Sequence, residues 1–170
     1  MKVYKIILFL LLISNAHSNE KFKLKKITDL NNPWSMTFLN NEEIMISDKE
    51  GQIQNINLKN KTINKVNHNL NYKVDGQGGL LEILKHKNNI YLCYTEDRGS
   101  GKTSTSIAKA KYTKDNLNFK NIFQANPPIN SGYHFGCRMV IQDDKYLYAS
   151  IGERGGGNIA QDFNQHPGSI

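Results

Sequence analysis

The chain has 170 residues, with 22 Lys and Arg against 15 Asp and Glu, a formal net charge of +7, and 38% hydrophobic residues. That length is enough for one domain with a hydrophobic core. Because the lysines are scattered among asparagines rather than clustered with aromatic residues, a solvated surface explains the charge better than a nucleic-acid interface.

The first eighteen residues have the pattern of a secretory signal. Lys2 and Lys5 precede an apolar run over residues 6–13, and Ala16 and Ser18 provide small residues before a cleavage site. The run is shorter than the roughly 20 apolar residues of a transmembrane helix, and no Cys directly follows it to carry a lipid. We therefore expect a signal peptide over 1–18, a periplasmic or secreted mature chain, and no stable membrane anchor.

Short apolar segments separated by polar turns follow the signal, without a helical period. Three stretches resemble one another, beginning at Pro33, Gly78 and Phe135. Each enters an apolar strand, turns through a polar pair and continues into a second strand. The polar pairs are Asn40-Asn41, Asn88-Asn89 and Asp143-Asp144. The second strands end on acidic residues, which are Asp48, then Glu96 and Asp97, then Glu153.

A period of roughly 45 to 55 residues with four strands per unit is typical of a β-propeller, an all-β fold. A sandwich of unrelated hairpins is the alternative, but it gives no reason for the acidic exits to recur. The first two units complete a third and a fourth strand, and the third unit stops at Ile170. Since about two and a half blades would leave open sheet edges, we expect residues 19–170 to be the N-terminal part of one propeller domain.

Polar residues occur at one end of each predicted hairpin. The start of the first strand and the end of the second lie at the same end of an antiparallel pair, and the first strand is the innermost of a blade. Gln77 and His134 each precede a first strand, and Glu153 follows a second one. These residues should share the rim of the central channel, with His134 and Glu153 as neighbours.

The predicted neighbours suit proton transfer. A carboxylate beside an imidazole fixes its tautomer and stabilises its charged form, so that His134 could remove a proton from a substrate hydroxyl. Arg138, four residues along, offers a fork of donors to an anionic or carbonyl oxygen. Ordinary roles stay open: a solvated loop for His134, a turn for Glu153, and an ion pair with Glu153 for Arg138.

The two cysteines, Cys93 and Cys137, each lie within an apolar run. That setting is typical of a small buried core residue, and we expect free thiols. An oxidising compartment also permits a disulfide between them. No Cys and His spacing resembles a zinc site.

Three stretches in this order and spacing carry a family resemblance: NPWSMTFL (32–39), DGQGGLLEI (75–83) and YHFGCRMVI with KYLYASIGERG (133–141 and 145–155). Together with NQHPGSI at 164–170, they resemble the soluble quinoprotein sugar dehydrogenases, also called aldose sugar dehydrogenases. The resemblance implies a six-bladed propeller that binds pyrroloquinoline quinone (PQQ) and Ca²⁺. It covers nearly all of the mature chain.

By this resemblance, His134 would be the general base that takes the proton of the sugar's anomeric hydroxyl. Glu153 would support it, although some relatives carry Asp there, and Gln77 and Arg138 would contact the substrate or cofactor. The implied reaction is hydride transfer from C1 of an aldose to the quinone, which gives a lactone and passes electrons to an external acceptor. The ligands of Ca²⁺ and of the PQQ carboxylates would come mostly from later blades, so the fragment alone should be inactive.

Two other functions fit parts of the sequence. A propeller can bind a sugar or a protein without catalysis, but such a surface does not need Gln77, His134 and Glu153 on one rim. A metal-dependent propeller lactonase would need several carboxylates around one ion, for which Asp48 and Glu96 are candidates together with Asp97.

Overall fold

The computed structural model describes residues 22–170, so the signal peptide expected over 1–18 lies outside the described residues. Within 22–170 the chain forms eleven strands and one short 3₁₀ helix over Gly157–Gln161. The strands of the first two repeats are β1 (Pro33–Phe38), β2 (Glu43–Asp48), β3 (Ile53–Asn57), β4 (Ile63–His68), β5 (Leu80–His86), β6 (Asn89–Asp97), β7 (Thr103–Lys111), β8 (Asn116–Leu117) and β9 (Lys120–Gln124). The third repeat supplies β10 (Gly136–Gln142) and β11 (Tyr146–Ile151).

The strands form three sheets that correspond to the three repeats. The first blade has the order β1-β2-β3-β4, the second β5-β6-β7-β9, and the third consists of the hairpin β10-β11. All of these neighbours pair antiparallel. The prediction of an all-β propeller with about two and a half blades is confirmed. Within residues 22–170, no helix has the length and hydrophobicity that a membrane crossing requires.

One strand was not predicted. Residues of β8 add to the outer edge of the first blade by pairing with β4 in parallel. Leu117 of β8 is fully buried in the core between the first two blades. Burial of Leu117 and hydrogen bonds from Asn55 and Asn67 to the two residues before β8 hold this strand in place, which no alternating pattern in a two-residue strand could reveal.

The second blade is covered on both faces. Leu92 and Ile83 pack toward the first blade, whereas Leu81, Ile107 and Phe123 pack toward the third hairpin. This arrangement explains why β6 and β7 are buried along most of their length instead of alternating, as expected for strands between two packed layers.

Side chains of one blade accept hydrogen bonds from backbone N–H groups on the innermost strand of the next blade. The N–H groups of Ile83 and Lys85 on β5 donate to Ser35 Oγ at 3.3 Å and Thr37 Oγ1 at 3.0 Å. The N–H of Met139 on β10 donates likewise to a carboxylate oxygen of Glu82. Because an innermost strand has no strand partner on its channel side, these contacts satisfy donors that would otherwise face the channel.

The two cysteines join the second and third blades. Cys93 on β6 and Cys137 on β10 form a disulfide, with Cα atoms 6.4 Å apart, and both residues are buried. The expectation of two free core thiols is therefore wrong, although the expected burial is present. The reason is that strands from different blades face each other here, and a separation of 44 residues along the chain does not reveal that contact.

Candidate active site at the mouth of the third hairpin

The third hairpin brings His134 and Glu153 together. Gly136 pairs with Ile151 in the antiparallel register of β10 and β11, which places His134 and Glu153 two residues beyond that pair at the same end. Nδ1 of His134 is in hydrogen-bond contact with Oε1 of Glu153. This hydrogen bond is the main reason that the pKa of Glu153 lies below its ordinary value. The acid is therefore a carboxylate at neutral pH.

The contact fixes which nitrogen of His134 can act as a base. A carboxylate accepts hydrogen bonds only, so Nδ1 carries the proton and Nε2 keeps its lone pair. The His134 side chain is 53% exposed and that of Glu153 is 27% exposed. A substrate hydroxyl can thus approach the imidazole while the carboxylate remains behind it.

Gln77 supports the backbone of His134 rather than its ring. Oε1 of Gln77 accepts a hydrogen bond from the His134 N–H at 2.9 Å, and the Gln77 N–H donates to the Gly132 carbonyl at 2.8 Å. Gly76, with φ +54°, lies so close that a Cβ there would be 2.3 Å from the Gly132 carbonyl oxygen. The glycines around Gln77 thus allow this loop to pack against the one that carries His134.

His134 has a backbone conformation that few residues adopt. Its φ is +48°, which is uncommon for a residue with a Cβ and persists where surrounding contacts impose it. Gly152 belongs to those surroundings, because a Cβ at this position would lie 2.0 Å from the His134 carbonyl oxygen. Close backbone approach from the second strand thus helps to hold the loop.

Arg138 does not reach Glu153. Its Nη1 lies 3.5 Å from Oε1 of Glu82 on β5, and its side chain is 75% exposed. The ion pair with Glu153 is therefore not present, and the structure does not place the guanidinium against His134. Glu82 was missed as a partner because it lies on another blade, next to an irregularity in the pairing of β5 and β6 between Leu80 and Ile83.

The remaining acidic exits do not converge on one point. Asp48 and Asp97 accept hydrogen bonds from the N–H groups of Glu50 at 2.6 Å and Gly99 at 2.9 Å, which closes their own turns. Glu96 is enclosed by side chains of its own blade. Among residues 22–170 there is no group of three or more His, Cys, Asp or Glu that could hold a metal ion. The carboxylates considered for a lactonase thus have other partners.

Comparison with known proteins gives the family. Residues 30–170 match the family model for glucose/sorbosone dehydrogenases. The chain belongs to the glucose/sorbosone dehydrogenase family. The resemblance to soluble quinoprotein sugar dehydrogenases inferred from the sequence is thereby confirmed.

Individual relatives of the glucose/sorbosone dehydrogenase family match only part of their own length. Aldose sugar dehydrogenase YliI of Escherichia coli (strain K12) is 26% identical over 150 residues, which are 83% of this chain and 40% of the relative. A solved glucose dehydrogenase has a TM-score of 0.76 at 28% identity, over 82% of this chain and 46% of that one. The PQQ-bound form of aldose sugar dehydrogenase from Streptomyces coelicolor has a TM-score of 0.72 at 25% identity, over 83% and 44%.

This member of the glucose/sorbosone dehydrogenase family has a buried arginine next to Glu153. Arg154 is 2% exposed, and burial lowers its pKa to about 10. Its guanidinium donates to main-chain carbonyls and to Thr103, and it lies 3.6 Å from the centre of the Phe135 ring. The burial of Arg154 was not expected from the sequence, because GERGGG has the composition of an exposed turn.

An open groove runs from the first strand of the first blade to Arg138 on the third hairpin. It has a volume of about 480 Å³, and its walls include Trp34, Met36, Glu82 and Arg138. A smaller recess of about 240 Å³ shares Trp34 and Arg138 and extends to Gly136. The partly exposed indole offers a stacking surface, and the guanidinium offers donors to carboxylate or carbonyl oxygens.

Proposed function

We propose that the chain is the N-terminal part of an exported, PQQ-dependent dehydrogenase that oxidises aldoses at C1 to lactones. The observation that carries this proposal is the contact between His134 and Glu153 within a region that matches the sugar dehydrogenase family. A binding surface without catalysis does not need an exposed imidazole whose tautomer is fixed by a carboxylate. The chain spans about two fifths of the curated relatives that it matches, so the activity is proposed for the longer protein.

His134 is the proposed general base. Its Nε2 would accept the proton of the anomeric hydroxyl, and Glu153 would stabilise the resulting imidazolium through the hydrogen bond at Nδ1. Gln77 would help to position the imidazole by accepting a hydrogen bond from the His134 N–H. PQQ, when bound, supplies the quinone that accepts the hydride from C1.

Two residues of the groove suit PQQ in kind, although the guanidinium of Arg138 is shared with the carboxylate of Glu82. PQQ is a planar quinone with three carboxylates, and it needs a flat apolar contact and several cationic donors. Trp34 and Arg138 provide one of each in the groove. We propose that later blades supply the remaining donors and the Ca²⁺ ligands, and that the electrons leave to an external acceptor.

The proposal is tested in the full-length protein supplied with PQQ, Ca²⁺, an aldose and an electron-accepting dye. His134→Ala should lower turnover by at least about 10²-fold, typical for loss of a general base, while PQQ binding stays largely intact. Turnover is measured by dye reduction, and PQQ binding by absorption or quenching titration. Residues 19–170 alone should show no PQQ-dependent oxidation, since the rest of the site is expected elsewhere.

His86→Ala is the matched control, because His86 is the last residue of β5, a first strand, and so lies at the opposite end of its hairpin. Its turnover should equal that of the wild type. An unchanged rate in His134→Ala would remove His134 from the mechanism. Sugar binding without oxidation by the wild-type protein would favour the non-catalytic propeller instead.

A further inference from the structure

The loop that carries His134 is held by one side chain from the neighbouring strand end. Nε of Arg154 donates to the Tyr133 carbonyl at 3.1 Å, and Nη2 donates to the Ser131 carbonyl. The Arg154 N–H donates to the His134 carbonyl at 3.2 Å. The residue directly after Glu153 thus binds the chain at His134 and on its N-terminal side.

The same guanidinium is anchored in the second blade. Nη1 and Nη2 of Arg154 donate to the carbonyl of Thr103 at 3.0 Å and to its Oγ1 at 2.8 Å. The face of the guanidinium lies over the Phe135 ring, whose side chain is 1% exposed. Arg154 is therefore a fixed point that links the His134 loop to a strand of the buried second blade.

The hydrogen-bond partners of this buried charge are neutral, and the carboxylate of Asp75 acts on it only through space, where it raises the pKa that burial lowers. Each hydrogen bond of the guanidinium goes to a carbonyl or a hydroxyl. A buried cation without a carboxylate in hydrogen-bond contact costs free energy. Because the guanidinium lies next to the strained backbone of His134, we interpret its burial as a means of holding that backbone in place. A planar fork with five donors can fix several acceptors at once, which the single ammonium of lysine cannot do.

We propose that Arg154 is a positioning residue that sets the separation of the His134 imidazole and the Glu153 carboxylate. It holds the positive φ of His134 from one side, and Gln77 does so from the other. This inference rests on the proposed function for its effect on turnover. Its effect on the geometry of the pair is independent of that function.

The test compares Arg154→Lys with the wild type in the full-length protein, without sugar or PQQ. The pKa of Glu153 is read from the ¹³C carboxyl resonance of labelled glutamate, assigned with Glu153→Gln. In the wild type it should lie below the ordinary value, because of the hydrogen bond from His134. In Arg154→Lys it should rise toward that value, because the two side chains separate. A role in folding alone would leave this pKa unchanged in the folded variant.

Turnover provides the second measurement. A displacement of about 1 Å can cost about 10²-fold, so Arg154→Lys should lower kcat by about 10- to 100-fold, with a smaller change in KM for the aldose. Arg98→Lys is the control, since Arg98 directly follows β6 and lies beside Glu96. It should change neither kcat nor KM. An unshifted Glu153 pKa in folded Arg154→Lys would overturn the proposal.

A second variant covers the case in which Arg154→Lys does not fold. Thr103→Val removes the hydroxyl that accepts from Nη2 and keeps the shape of the side chain. It should move the Glu153 pKa in the same direction by a smaller amount, and no movement would count against the proposal. If the wild type oxidises no sugar, the proposed function fails, whereas the titration of Glu153 still decides the role of Arg154.

Discussion

Two acidic residues lie at the ends of equivalent strands in neighbouring blades, but their surroundings differ. Glu96 is the next-to-last residue of β6, the second strand of the second blade, and its side chain is 10% exposed. It accepts hydrogen bonds from Ser106 at 2.7 Å, from Asn121 at 2.9 Å and from Gln124 at 2.8 Å. Glu153 follows the second strand of the third blade, is 27% exposed, and contacts His134.

The difference shows that the position in the repeat places a carboxylate at the rim, but that its neighbours determine whether its role is structural or catalytic. The outer strands β7 and β9 surround Glu96 with donors of its own blade, so its charge is satisfied internally. The donors at Glu153 are an imidazole and the N–H of Gly155 at 3.2 Å. A carboxylate becomes available for chemistry where its partner is a residue that can itself exchange protons.

Replacement of each acid by its amide should separate the two roles most strongly. Glu153→Gln should lower turnover by about 10³-fold, because the neutral amide does not stabilise the imidazolium. Glu96→Gln should leave turnover nearly unchanged and lower the free energy of unfolding by about 1 to 3 kcal/mol, since its new NH₂ group faces existing donors. Dye reduction and urea unfolding measure the two effects.

The opposite pattern would contradict this comparison. A stable, active Glu153→Gln protein would show that its carboxylate is only a surface group. A Glu96→Gln protein that folds normally but has lost turnover would show that both exits belong to the site.

The disulfide connects the two compared hairpins, since Cys93 lies on the strand that leads to Glu96 and Cys137 lies on the strand that begins after His134. Replacing both cysteines by alanine should lower the free energy of unfolding by about 4 kcal/mol, the chain-entropy value for a loop of 44 residues. Urea unfolding measures the loss. A thiol reductant should destabilise the wild type and not the variant; a wild type insensitive to reductant would show that the bond does not form.

The smallest effect is expected at the opposite end of the hairpins. Nε2 of His86 and Nζ of Lys87 lie 2.8 and 2.7 Å from the carboxylate of Asp144, which joins the second and third blades at their turns. Asp144→Asn should shift the midpoint of urea unfolding only slightly, because Asp144 is 55% exposed and an exposed ion pair contributes little to stability. Turnover should not change. A large loss in urea unfolding would show that the turns, and not the core, hold the two blades together.

Sequence reasoning succeeded where a contact lies within one hairpin. The register of a single antiparallel pair is enough to bring His134 and Glu153 together, and a four-strand period is enough for the propeller. It did not succeed between blades. The partner of Arg138, the bond between Cys93 and Cys137, and the burial of Arg154 all depend on how separate sheets face each other, which spacing along the chain does not contain.

The hydrogen bonds from Ser35, Thr37 and Glu82 to the innermost strands have a consequence for what can enter the central channel. An extended peptide that threaded into it would meet amide groups of Ile83 and Met139 that are already engaged. Strand addition from the inside, a common first step in aggregation, is thus discouraged. A compact solute that is bound through side chains can still enter the channel.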